Sequence, residues 1–112
     1  MKNILSLIAA SLLLTACTTT MSDASIHRRV VGTWLVEGSQ PVKTIENRSD
    51  GTTVARDAGV EKARGTWQIK DGYIIVQVAG SNTESNKVVS VSRDKLVILT
   101  IDGQTQFTCL RQ

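Results

Sequence analysis

A chain of 112 residues with 13 Lys and Arg against 10 Asp and Glu, and a formal net charge of +3, is too short for two full domains and too evenly charged for a dedicated nucleic-acid binder. One histidine and two cysteines leave little material for a metal centre, a proton-transfer site or a disulfide framework. These counts argue for a single small domain with no catalytic residue, no metal and no cofactor.

The chain opens with Lys2, an apolar run from Ile4 to Leu14 diluted by Ser6 and Ser11, and the small Ala16, which is the order of a secretory signal. The run falls well short of the ~20 apolar residues that a spanning helix needs. Leu14-Thr15-Ala16-Cys17 resembles a bacterial lipobox. That resemblance implies that residues 1–16 are a cleaved signal peptide, that the Cys17 thiol carries a diacylglycerol, and that the freed amine is acylated as well. Two or three acyl chains hold a protein stably in a bilayer, where one holds it weakly. Thr18, in place of the Asp that commonly retains such proteins in the inner membrane, points to an outer-membrane anchor with the domain in the periplasm, if the source is Gram-negative. Residues 17–29 then form the lipidated Cys and a tether. Within it Ser22 or Asp23 is placed to cap a single helical turn through Arg29. Arg28 and Arg29 enter the fold either simply solvated or in contact with anionic headgroups, at about 1 kcal/mol per residue.

From Val30 onward the chain reads as strand and turn, so residues 30–112 are expected to form the folded domain. Val30 to Glu37 alternates with apolar residues on both sides. Val42 to Asn47 and Thr52 to Arg56 flank the turn Ser49-Asp50-Gly51, which is of the Asp-Gly kind that closes hairpins. In Lys62 to Lys70, charged and polar residues alternate with Ala63, Gly65, Trp67 and Ile69, the period of a half-buried strand. Asp71-Gly72 turns into Tyr73 to Val78, and Ala79 to Ser85 reads as a polar loop. Three further strands follow at Lys87 to Ser92, Lys95 to Ile101 and Gln104 to Arg111. Nothing after residue 30 has the period or length of a crossover helix, so strands must pair with sequence neighbours. The expected fold is all-β: a small antiparallel meander of about seven or eight short strands, curled into a closed or partly open barrel that hides its edges.

Gly32-Thr33-Trp34 recurs as Gly65-Thr66-Trp67, each glycine allowing the backbone to bend over a large interior ring. With Asp50-Gly51-Thr52, Asp71-Gly72-Tyr73 and a last strand ending in Arg111, the stretch from Val30 to Arg111 resembles the small lipocalin-like domains of bacterial envelope proteins. The resemblance implies that Arg111 covers Trp34 by cation–π stacking. The chain is about half a lipocalin's length and lacks its C-terminal helix, and six- or seven-residue strands suggest that side chains fill the interior. Trp34, Trp67, Ile74, Val89, Leu96 and Phe107 are among the expected fillers. Cys109, in phase with Phe107, is expected to be a buried, inert thiol.

His27 lies beside the tether with no evident partner. The acids Asp50, Asp71, Asp94 and Asp102 sit in turns, where local hydrogen bonding is their ordinary role. Both faces of two strands are apolar, however: Tyr73, Ile75, Val97, Leu99 and Ile101 lie opposite the inward residues, and such a surplus marks either a covered face or a protein-binding patch. The reading that follows is a membrane-anchored, non-enzymatic binding or accessory subunit with an envelope protein partner. A lipocalin-like carrier of a small hydrophobic ligand and a periplasmic inhibitor or immunity protein are the alternatives.

Overall fold

A computed structural model describes residues 21–112; the lipobox and Cys17 lie outside the described residues. Eight strands, β1 (Gly32–Val36), β2 (Lys43–Asn47), β3 (Thr52–Asp57), β4 (Val60–Lys70), β5 (Tyr73–Val78), β6 (Thr83–Val91), β7 (Lys95–Thr100) and β8 (Gln106–Arg111), follow one helix, α1 (Asp23–Val30). Every strand pairs antiparallel with its sequence neighbours. β8 closes on β1 through Trp34↔Arg111, Leu35↔Leu110 and Val36↔Cys109, so the sheet is a closed barrel with no free edge.

The turns explain the meander. At Ala58-Gly59 and Asp71-Gly72 both residues have positive φ (49° and 83°, 53° and 80°), the backbone of two-residue hairpins whose twist matches the strands they join. Asp50 accepts from the Thr52 N–H and hydroxyl, and Asp102 accepts from the Thr100 hydroxyl and the Gln104 N–H. These bonds hold both carboxyls below their usual range, the side-chain hydroxyl being the larger cause in each.

The turns at residues 48–51, 71–72 and 92–94 gather at one end of the barrel, and α1 lies across that end. Ser22 caps the helix by accepting from the Ser25 N–H. Asp23 accepts from the N–H groups of Asp71 and Gly72 at 2.8 and 2.9 Å, which pins the first turn to the β4–β5 hairpin. The last turn is held by Val30, whose carbonyl accepts from Trp34 Nε1 at 2.9 Å and from Asn47 Nδ2. Ile26 and Val30 are buried in one core cluster with Trp34, Trp67, Ile74 and Leu96. The folded unit thus begins at the Ser22 cap, inside the stretch expected to be tether. Two apolar residues four apart are enough to dock so short a helix when a barrel end is there to receive them.

Three further expectations change. Residues 83–85 belong to β6 and not to a loop, leaving only Ala79–Asn82 between β5 and β6. Val89 is 48 % exposed because β6 is irregular between Val88 and Ser90, so that Val89 is the extra residue and the ladder resumes with Val91 turned inward. Phe107 is 38 % exposed: it is in phase with buried Cys109 but lies two residues before Cys109, the first β8 residue paired with β1, with no core residue across from it on that side.

Candidate functional site

The two Gly-Thr-Trp triplets have distinct structural uses. Gly32 has φ +137°, and a Cβ there would lie 2.3 Å from Arg111 Nη1. The absent side chain is what admits the guanidinium, which stacks over Trp34 with Cζ 4.2 Å from the ring centroid. From that position Arg111 donates to the carbonyls of Val31 at 2.9 Å, Arg29 at 2.7 Å, and Arg93. One side chain therefore ties the helix exit, the β6–β7 turn and the last strand together. Gly65 answers a different demand, since a Cβ there would meet the Gln77 carbonyl oxygen at 2.1 Å, and only glycine allows β4 to approach β5 so closely. Trp67 donates from Nε1 to the Arg48 carbonyl at 2.9 Å, and His27 stacks on its ring at 4.5 Å. His27 is thus half-buried packing between α1 and the barrel.

Above this sealed floor the barrel encloses a cavity of about 270 Å³. Trp34, Leu96 and Cys109 form part of its base, and Ile45, Val76 and Ile98 part of its walls. It exists because the inner face of β3 and β4 is built from small residues: Ala55 pairs with Ala63, and Thr53 with Gly65. The opposite strands do bring large side chains inward, but these cannot reach a wall that carries almost none. The expected filled interior is therefore incomplete on one side.

Polar groups in the cavity are few and localised. At the base, Asn47 Oδ1 accepts from the Thr53 hydroxyl at 2.9 Å. At the other end, Lys43, Glu84 and Asn86 line the opening. Asp57 faces Lys43 across the β2–β3 ladder there, and its Oδ1 is buried without a hydrogen-bond partner among the described residues. Exposed Val42, Val60, Ile101 and Phe107 surround the same end, with Ile101 at 74 % the most exposed large apolar residue described. Burial lifts the Cys109 thiol to about 11, so it remains protonated and unreactive at neutral pH. In comparisons with known proteins, no family model matches the chain, and neither a curated protein nor a solved structure does.

The outer apolar residues do not form the continuous patch that their alternation suggested. Tyr73, Ile75, Val97 and Leu99 are half-buried on the outer faces of β5 and β7, but β6 runs between those strands. The register sets Lys87 between Tyr73 and Leu99, and Ser85 beside Ile75. Ile101 stands apart, in the turn at the open end. On the outer side of β2–β4, Glu46 pairs with Arg48 at 2.9 Å and Arg56 at 3.0 Å, and Glu61 pairs with Arg64 at 2.8 Å. Hydrogen bonds from Arg48 and then Arg56 hold the Glu46 carboxyl below its usual range, and Arg64 does the same for Glu61. Val54, whose register neighbours are Glu46 and Arg64, is wholly buried on this outer face, a position that the apolar stems of long side chains can cover. Among the described residues no group of three His, Cys, Asp or Glu comes together as a metal site would require.

Proposed function

We propose that the protein is an envelope lipoprotein, anchored through Cys17, whose barrel binds a small, mainly apolar molecule without transforming it. The observation that carries this reading is the cavity: about 270 Å³, sealed below by α1 and the tryptophans and lined mostly by aliphatic groups. An engineered apolar cavity of ~150 Å³ accepts benzene, and drug-sized ligands occupy ~300 Å³ or more, so the expected ligand is intermediate in size, such as a bicyclic ring or a short acyl chain. Its apolar end would lie against Trp34 and Leu96. Its polar end would meet Lys43, Glu84 and Asn86, which can pair with a ligand hydroxyl, amine or carboxylate.

The test is titration with a naphthalene-based fluorescent probe. Saturable one-to-one binding in the parent protein, lost in Ala55→Leu/Ala63→Leu with the fold intact, supports the reading. Absence of saturable binding in the parent overturns it. Accessory binding to an envelope protein is the second reading, favoured by the exposed Val42, Val60, Ile101 and Phe107 around the opening.

A further inference from the structure

We infer that the closed end of the barrel docks on the anionic headgroups of the membrane that holds Cys17, so that the cavity opens away from that membrane; this rests on the proposed lipid anchor. The first observation is where the chain emerges. Asp23 is fixed to the β4–β5 hairpin by two hydrogen bonds, and six peptide steps separate it from Cys17. At full extension those steps reach about 20 Å, so the closed end cannot travel far from the bilayer. The six-residue β5, tilted as barrel strands are, carries the opening about 13 Å farther away.

The second observation is charge. Arg28 and Arg29 on α1, Arg93 in the β6–β7 turn, Lys95 at the start of β7 and Lys70 at the end of β4 are all exposed at the closed end, and none makes an ion pair among the described residues. Arg111 holds the carbonyls of Arg29 and Arg93 on one guanidinium, so these cations belong to two segments fastened together by a single group. The nearby acids are Asp50, Asp71, Asp94 and Asp23, of which Asp23 is occupied by two backbone N–H groups. Around the opening the balance tips the other way, with Glu37, Asp57, Glu61, Glu84 and Asp102 set against Lys43, Lys62 and the ion-paired Arg56 and Arg64. Attraction to a headgroup layer fades over ~8 Å at physiological salt, so the basic end is held and the acidic end is not. Exposed Met21, immediately before the helix cap, supplies an apolar contact at the same surface.

The test reconstitutes the lipidated full-length protein into vesicles with and without phosphatidylglycerol. A donor fluorophore is placed on Ser49→Cys at the closed end or on Ser81→Cys at the open end, and energy transfer to a headgroup acceptor is read. Docking predicts greater transfer from position 49 than from position 81 in anionic vesicles only. The docking equilibrium should fall about fivefold for each of Arg28→Gln, Arg29→Gln and Arg93→Gln. These variants keep the backbone carbonyls that Arg111 uses, so the fold is retained. Equal transfer from both positions, or a contrast indifferent to phosphatidylglycerol, overturns docking alone. Mass measurement of the same sample reports on Cys17, and an unacylated cysteine overturns the anchor and the docking face together.

Discussion

Replacing Arg111 by Met should remove a large share of the protein's stability while leaving it folded. The side chain makes three charge-assisted hydrogen bonds to backbone carbonyls and one cation–π contact with Trp34. Bonds to a charged group contribute ~1.5–3 kcal/mol each, and water can reach part of this end, so the lower figure is appropriate. The stacking adds about 1 kcal/mol, while methionine recovers some of the packing. The expected loss is about 4 kcal/mol, against a total stability of ~5–15 kcal/mol for a domain of ordinary stability. At 4–8 °C per kcal/mol for a small domain, Tm falls by about 20 °C. Urea unfolding followed by fluorescence of Trp34 and Trp67 measures the change directly. Arg111→Lys should restore less than half of it, because an ammonium keeps the charge but cannot place three donors in a plane. A loss under about 1 kcal/mol for Arg111→Met would refute the claim that this side chain fastens the closed end.

Other substitutions separate the remaining roles. Gly65→Ala should cost more than about 3 kcal/mol in urea unfolding, since its Cβ would lie 2.1 Å from a backbone oxygen and relief requires β4 and β5 to separate. Leu99→Glu should unfold within about 1 kcal/mol of the parent, because the new carboxylate sits on the outer face across from Lys87; a larger loss would place Leu99 in the core. The raised Cys109 pKa fixes a sign for alkaline stability. The unfolded thiol ionises near 9.0 and the folded one only near 11, so the folded state binds more protons between those values and stability declines as pH rises through that window. The full decline is about 2–3 kcal/mol, and it should be absent in Cys109→Ala.

The barrel was legible because its strands alternate at period two and its breaks fall at Asp-Gly and Ala-Gly, residues suited to positive φ. The Trp34–Arg111 contact was legible through the resemblance, but the reason Gly32 must be glycine was not, since only geometry shows the guanidinium occupying its side-chain space. Docking of α1 was hidden because eight residues with two inward apolar positions scarcely differ from a tether in sequence. The irregularity that turns Val89 outward leaves no local sign between Val88 and Val91. The cavity does carry a sequence signal: Thr53 and Ala55 on one strand and Ala63 and Gly65 on the next form a wall of small inward residues once the Asp57-Ala58-Gly59 turn pairs the two strands, although composition alone does not show that their partners leave it unfilled.

The most direct test of the binding proposal is to purify the lipidated protein from its native envelope, extract it with organic solvent, and compare the small molecules released with those from Ala55→Leu/Ala63→Leu. The account predicts one small, mainly apolar species in near-stoichiometric amount from the parent and none from the filled variant. The same species at equal yield from both proteins, or no enriched species from the parent, would contradict it.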